Sequence, residues 1–375
     1  MAKKNAGLKK VKVGVIGCGN ISGAYFSGMK RFGILDVVAC ADLELERAQA
    51  QAANFEIPRA CPVKDLLADD AIELVVNLTV PKAHAPVNLD ILAAGKSLHV
   101  EKPWATNRQE GAKVVSAAKA KKLLLGAAPD TFMGGGIQTA RKLLDDGRIG
   151  QPVAATAFLM LAGHETWHPS PEFYYEPGGG PLFDMGPYYL HALINLLGPV
   201  KAVTAMARAS FPTRLITSQP KYGKVVKVET PTHITASLEF ASGVLATIIM
   251  SFDVKATRNF ICLEVFGAEG SIQVPDPNTF GGPVRLYRSS EFTDWTDMAL
   301  THGNTENTRG IGPADMAYAL RTGRPHRASG ELGYHTLDIM QSILEAAKEG
   351  KRKSVASTCA RPAALPIGLS PGTLD

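Results

Sequence analysis

Between residues 11 and 128 the chain strictly alternates short apolar runs with helix-length amphipathic segments, and few folds accept that alternation. The apolar runs fall at residues 11–16, 37–41, 74–79, 97–100 and 123–127, with helix candidates at 22–32, 43–55, 84–94 and 108–120. Strands separated by helices return by crossovers rather than hairpins, which gives a parallel sheet with helices on both faces. Local chemistry supports the helix boundaries. Val87 and Ile91 share one face of the third helix, and Gly95 suits its stop. Asn107, with Glu110 three residues later, reads as a capping box.

The pattern changes after a helix expected at 137–146. Strand-like runs at 153–161, 200–208, 232–240, 244–251, 260–266, 271–274 and 284–287 now dominate, and Ala241-Ser242-Gly243 is a hairpin signal between two of them. Consecutive strands imply an antiparallel sheet, and helices at 313–322 and 331–348 close the chain. A length of 375 residues exceeds what one core usually serves. The expected fold class is therefore an α/β, doubly wound parallel sheet over residues 1–128 followed by an α+β domain over 129–375.

Several function classes are disfavoured. The net charge of +5 owes much to Lys3, Lys4, Lys9, Lys10 and Lys12, a solvated leader, and no basic stretch is interleaved with aromatics as a nucleic-acid partner would require. The five cysteines are scattered and lack any C-x-x-C pair, which argues against a disulfide framework and a structural zinc site. No apolar run approaches the roughly 18 residues that span a bilayer, so no membrane partner is expected. A signal peptide is not evident, and the expected location is cytoplasmic.

Val13-Gly14-Val15-Ile16-Gly17-Cys18-Gly19-Asn20-Ile21-Ser22-Gly23 is a strand, a glycine turn and a helix start. Gly17 permits the tight turn, Gly19 lets the backbone approach a pyrophosphate, and the helix N-terminus after Asn20 and Ile21 offers free N–H groups. Ser22 stands at the third glycine position, so the match is imperfect. Asp42, ending the second strand, can accept ribose hydroxyls and repel a 2′-phosphate; capping the next helix is its plain alternative. Leu43 and Glu44 follow it rather than Arg or Lys, which favours NAD as cofactor and leaves NADP open.

His99-Val100-Glu101-Lys102-Pro103 places Glu101 and Lys102 at a carboxyl end of the parallel sheet, where doubly wound folds bind ligands. A lysine there can stabilise a developing alkoxide; a surface charge pair is the alternative. Further on, a helix starting near Asp184 would put Asp184, Tyr188 and His191 on one face, four and three residues apart. Between these stretches, Trp167 and His168 offer a flat apolar face and polar atoms suited to a sugar. A zinc reading of His164, Glu165 and His168 lacks the H-E-x-x-H spacing, and Pro169 and Pro171 interrupt the helix it needs.

Taken in order, the glycine turn, Thr79-Val80-Pro81 with His84, Gly95-Lys96, Glu101-Lys102-Pro103, and Gly178-Gly179-Gly180 through Asp184 and Gly186 resemble the Gfo/Idh/MocA family. That family includes glucose–fructose oxidoreductase and inositol dehydrogenase. The resemblance covers nearly the whole chain, to Arg324-Pro325 and Gly330-Glu331. It implies a Rossmann domain followed by a large open, mostly antiparallel sheet whose exposed face makes a homodimer or homotetramer. It also implies that Lys102 is the catalytic lysine and that Thr79, Pro81, His84 and Glu101 line the dinucleotide.

Many relatives carry D-x-G-x-H, and the histidine position is Tyr188 in this chain. Glucose–fructose oxidoreductase and the dimeric dihydrodiol dehydrogenases look similar in using tyrosine there. A phenol ordinarily titrates near 10, so a base of this kind needs a neighbouring cation, for which Lys102 is the expected source. His191 is the runner-up, as base or substrate ligand. Asp130 and Thr131 stand where the family carries an N-x-R-type sequence, and are candidates for substrate contact. The implied function is hydride transfer between NAD and a secondary alcohol of a sugar, cyclitol or glycoside, with Lys102, Tyr188, Asp184 and His191 as catalytic candidates and no metal. Two alternatives remain at this stage. One is a tightly held NAD used transiently for epimerisation, elimination or hydrolysis; the other is a non-catalytic sugar- and dinucleotide-sensing protein.

Overall fold

The computed structural model describes residues 7–255, 260–291, 293–370 and 372–375, so Lys3 and Lys4 lie outside the described residues. Strands β1 (Val11–Ile16), β2 (Leu35–Ala41), β3 (Leu74–Asn77), β4 (Ser97–Val100) and β5 (Leu125–Ala127) pair in parallel in the order β2-β1-β3-β4-β5. Helices α1 (Ser22–Met29), α2 (Leu45–Phe55), α3 (Val63–Leu67), α4 (Pro81–Ala93) and α5 (Arg108–Lys121) connect them. Every residue of β3 and β4 is buried, as expected of strands covered on both faces. The short helix α3 is absent from the sequence expectations. Its Leu66 covers Gly14 so closely that a Cβ there would lie 2.8 Å from Cδ2. Asn107 does cap α5, accepting from Glu110 N at 2.9 Å, while the Glu110 carboxylate takes the Thr106 hydroxyl at 2.8 Å.

The chain continues through α6 (Gly135–Asp145), β6 (Pro152–Met160), α7 (Gly180–Asp184), α8 (Gly186–Leu197), β7 (Val200–Arg208), β8 (Thr213–Leu215) and β9 (Val225–Lys227). It then forms β10 (His233–Phe240), β11 (Leu245–Ser251), β12 (Phe260–Gly267), β13 (Ser271–Gln273), β14 (Val284–Tyr287), β15 (Thr296–Met298), α9 (Ile311–Thr322), α10 (Gly330–Glu349) and β16 (Lys353–Ser354). Among the described residues a nine-stranded sheet runs β15-β14-β13-β12-β6-β11-β10-β7-β16. β6 is parallel to β11, and the other described pairings in this sheet are antiparallel. The parallel pair arises because the chain leaves β6 through α7 and α8, which frees β6 from a hairpin partner.

Side chains of this sheet alternate faces. Ile234, Ala236, Leu238 and Phe240 of β10 are buried, whereas the register aligns Thr235 with Met206 and Ile249, and Ile249 with Phe158, on the opposite face. That second face is open, with Met206 76% and Leu245 60% exposed. The two closing helices return to the first sheet: Ala127 N donates to Ala328 O at 3.0 Å, and Arg321 pairs with Glu73 at 2.6 Å. No described helix is long and apolar enough to cross a membrane.

Candidate active site

The glycine turn after β1 has the expected geometry with one exchange of roles. Gly17 has φ +100°, and a Cβ there would lie 2.6 Å from the carbonyl carbon of Leu78, so no other residue fits. Around a Cβ built on Gly19 there is open space to 4 Å. Ser22 is buried, and its hydroxyl donates to Gly19 O at 2.7 Å, closing the turn; Gly23 instead approaches Phe55, at 3.0 Å from a built Cβ. Asn20 is exposed and Ile21 half-buried at the start of α1. Asp42 accepts from Cys18 N at 2.8 Å and Glu44 N at 3.0 Å, with Arg47 at 3.4 Å. Leu43 and Val80, at the ends of β2 and β3, are 99% and 63% exposed. A dinucleotide fits this edge. The space over Gly19 admits a pyrophosphate, α1 points its N-terminus there, and the bare apolar side chains offer cover for a flat base.

Thr79 is half-buried, its hydroxyl donating to Asn77 Oδ1 at 2.7 Å, and Pro81 opens α4. His84, expected to line the dinucleotide, turns its ring into the protein. It is fully buried, with Nδ1 2.6 Å from Pro103 O and Nε2 2.8 Å from Thr79 O, and so ties the two loops that border the cleft.

At the end of β4 the Glu101 carboxylate accepts from the Tyr25 hydroxyl of α1 and from Lys102 N, both at 2.8 Å. Lys102 turns the other way and forms an ion pair with Asp184 Oδ1; its Nζ also lies 5.5 Å from the centroid of the Tyr188 ring. The second Asp184 oxygen meets His164 Nε2 at 2.8 Å. Burial works against charge at both groups, but each is the other's remedy. Asp184, with Tyr188 and Glu101, holds the Lys102 ammonium well above its usual range, and Lys102 and His164 hold the Asp184 carboxyl well below the carboxylate range.

Three expectations about this cluster need correction. First, the helix does not start at Asp184. The residue ends α7, the chain bends at Met185, and α8 begins at Gly186, so Asp184 is a partner of Lys102 and no N-cap. Second, burial pushes the Tyr188 phenol above its ordinary value despite the pull of Lys102 and, beyond it, Arg309. Third, His191 does not join the cluster. It is 1% exposed, stands edge-on to Phe132, and shares its Nδ1 proton with Pro129 O at 2.9 Å, and burial pushes it down to about 4.

Asp130 is also not exposed to a ligand. Its buried Oδ2 accepts from Gly310 N at 3.1 Å and Gly312 N at 2.9 Å and fixes the start of α9. Trp167, 58% exposed, and half-buried His168 do stand beside the cluster, with Trp167 5.0 Å from the His164 ring. Tyr174 meets His164 at 4.3 Å on another side. This loop is clamped by the β8–β9 hairpin, where buried Arg214 pairs with Glu165 at 3.2 Å and with Asp253, and the Ser218 hydroxyl donates to His168 O at 2.6 Å. Glu165 is thus spent on Arg214 and Tyr175, and no group of three or more His, Cys, Asp or Glu among the described residues is arranged for a metal.

Sequence reasoning overlooked His164 as a partner of Asp184, and Arg309 and Tyr25 altogether. His164 carried a signal only as a candidate zinc ligand beside Trp167; Arg309 carried none, since it reaches the site from a loop 121 positions beyond Tyr188.

A parallel sheet with an open glycine turn, joined to a mixed-sheet domain whose α7 sends a carboxylate onto the lysine after β4, defines a dinucleotide-binding protein of the two-sheet oxidoreductase class. Residues 11–128 match the family described as oxidoreductase family, NAD-binding Rossmann fold, and residues 137–273 match the GFO/IDH/MocA C-terminal domain. The chain belongs to the Gfo/Idh/MocA family.

Among relatives, an uncharacterised oxidoreductase of Schizosaccharomyces pombe is 28% identical over 46% of this chain and 48% of its own length. A 1,5-anhydro-D-fructose reductase of Ensifer adhaerens is 26% identical over 69% of this chain and 74% of its own. The chain spans about half the length of the curated relatives it matches first. A levoglucosan dehydrogenase solved with NADH and L-sorbose superposes with TM-score 0.81 at 20% identity, covering 93% of this chain and all of that one. At that identity the likeness establishes the fold.

Proposed function

We propose that the protein is a dehydrogenase that uses NAD to oxidise or reduce a secondary alcohol of a sugar, cyclitol or glycoside. The observation that carries this reading is the convergence of Lys102, Asp184 and Tyr188 at the carboxyl end of the parallel sheet, with the Lys102 ammonium 5.5 Å from the Tyr188 ring. The names of the relatives, an anhydrofructose reductase and a levoglucosan dehydrogenase, support a sugar or polyol substrate. In this reading residues 1–128 hold the dinucleotide through Gly17, Gly19, Asn20, Ile21, Asp42, Thr79 and Pro81, with Glu101 bordering its far end. Residues 129–375 hold the substrate, with Trp167 and His168 as its shelf.

Bound nicotinamide dinucleotide supplies the hydride acceptor or donor. The chain's own residues deal with the proton and the oxygen. Lys102, kept charged by Asp184, donates to the substrate oxygen and stabilises negative charge developing on it. Asp184 in turn keeps Lys102 aimed, with its other oxygen anchored by His164. Tyr188 exchanges the hydroxyl proton with the substrate. Asp42 favours NAD, and Arg47 beside it offers a cation that a 2′-phosphate could use. We further infer a homo-oligomer formed through the open face of the nine-stranded sheet, and a cytoplasmic location, which suits the unpaired state of all five cysteines.

The test is reduction of NAD and of NADP across aldoses, cyclitols and glycosides, with Lys102→Ala and Tyr188→Phe as controls. Each substitution is expected to lower kcat by about 10²–10³-fold. Full activity in Lys102→Ala contradicts the mechanism, and faster turnover with NADP contradicts the reading of Asp42. A protein that turns over no substrate but retains NAD through purification points to the tightly held cofactor, and one that binds sugar and dinucleotide without any turnover points to a sensor.

A further inference from the structure

Arg309 lies on the loop before α9 and is half-buried, and every hydrogen-bond partner recorded for it among the described residues is neutral. One Nη donates to Asn307 Oδ1 at 3.1 Å, and the other to Asn278 Oδ1 at 3.0 Å and to the Tyr188 hydroxyl at 3.5 Å. Its guanidinium also sits 6.0 Å from the Phe280 ring. Lys102, by contrast, stands 5.5 Å from the centroid of the Tyr188 ring and is paired with Asp184. Among the described residues, the side-chain hydrogen bond to the phenol oxygen therefore comes from Arg309.

The backbone that carries Arg309 is fixed from two sides. Asp130 holds the N–H groups of Gly310 and Gly312, and α1 lies so close that a Cβ on Gly28 would come within 1.8 Å of Arg309 O. Two asparagine carbonyls then set the plane of the guanidinium. Against its burial, Tyr188 and Glu101 hold the guanidinium charged, yet among the described residues no carboxylate forms an ion pair with it, which is unusual for a cation this enclosed.

We propose that Arg309 is a positioning residue for Tyr188, holding the phenol oxygen as its proton leaves. This deepens the function proposed above and rests on Tyr188 exchanging the substrate proton. A guanidinium is the suitable cation, since it stays charged at any working pH and its planar fork can keep both asparagines while one N–H serves the phenolate. The 3.5 Å contact is long for a neutral phenol and is expected to tighten when the oxygen ionises. The other charged or titratable groups around Tyr188 are Lys102 and Glu101 after β4, Asp184 at the end of α7, and Tyr174 from the preceding loop. Burial raises the phenol; Lys102 and Arg309 pull it down, and Glu101 opposes them.

The test replaces Tyr188 by 3-fluorotyrosine in the full chain and follows its ionisation by fluorine NMR, alongside the pH profile of alcohol oxidation by the unlabelled protein. Arg309→Gln is expected to raise the ionisation midpoint by about one unit or more and to move the rising limb of kcat to higher pH by a similar amount. Arg309→Lys is expected to recover most of both shifts. A midpoint in Arg309→Gln no higher than in the unsubstituted chain overturns the proposal, as does a kcat that falls equally at every pH. Should Arg309→Gln fail to fold, Arg309→Met decides by the same readout, because loss of the positive charge alone must raise the midpoint measurably. Turnover in Tyr188→Phe judges the other question. If it survives while the midpoint still follows Arg309, the role of Tyr188 is wrong and the pairing stands.

Discussion

His99, His191 and His335 are each enclosed, at 0%, 1% and 0% exposure, and burial pushes them down to about 3, 4 and 4. The unfolded chain binds their protons near pH 6.5, so it takes up more protons than the native state below that value. Their contribution to stability is complete above about pH 6.5 and is lost as pH falls toward 4. Asp130 acts in the opposite sense. Burial raises it to about 6 against the amides of Gly312 and Gly310, so its cost is present above pH 6 and is relieved between 6 and about 4. Three histidines outweigh one aspartate. Urea unfolding is therefore expected to show stability falling by on the order of 2 kcal/mol or more from pH 7 to 5, with a steeper fall in Asp130→Asn. A midpoint that holds steady or rises over that interval contradicts the sign.

At this scale the sequence was informative where residue type and strand position coincide. Gly17, Asp42 and Lys102 could be singled out because each stands at a recognisable place in the βα pattern, and Tyr188 because it stands at the histidine position of the family's D-x-G-x-H motif. Asp130 and His191 were misplaced because polarity suggests a ligand, and nothing in local sequence reveals that a carboxylate will meet two amides from Gly310 and Gly312. His164 shows the converse: its bond to Asp184 depends on how the loop after β6 crosses α7.

Among the elements, α1 does two jobs at once. Its N-terminus faces the space over Gly19, and its far end packs through Gly28 on the backbone of Arg309. Gly28→Ala forces that contact apart and is expected to destabilise the protein by about 1–3 kcal/mol. Thermal melts with and without NAD measure the effect. A melting temperature unchanged from the unsubstituted chain would mean that α1 does not press on this loop. The elements themselves were foreseen to within a few residues when they were long and periodic, as with β1, β7, α5 and α10. Several short ones escaped notice. α3, the β8–β9 hairpin and the break between α7 and α8 are too brief to show a period, and the hairpin owes its place to Arg214 rather than to its own pattern.

At the scale of the whole molecule, one face of the nine-stranded sheet is without cover among the described residues. Met206, Leu245 and Phe260 are exposed there, and Phe158 stacks on Phe260 at 6.2 Å. In the proposed homo-oligomer a second copy covers this apolar face with its own. Sedimentation velocity is expected to show a dimer or tetramer that Met206→Asp shifts toward the monomer, with its melting temperature little changed. A monomeric parent protein would remove the interface.

What the sequence determined by itself is the parallel sheet, its glycine turn, the lysine at its carboxyl edge and the later strands, because periodicity and turn chemistry act over a few neighbouring residues. The tertiary structure alone decided which side chains meet. Lys102, His164, Asp184 with Tyr188, and Arg309 meet from four separate stretches of chain, and burial and ion pairing then act on Lys102, Asp184 and Tyr188. Desolvation and ion pairing depend on everything within several ångströms in space, and that neighbourhood is not written in sequence order.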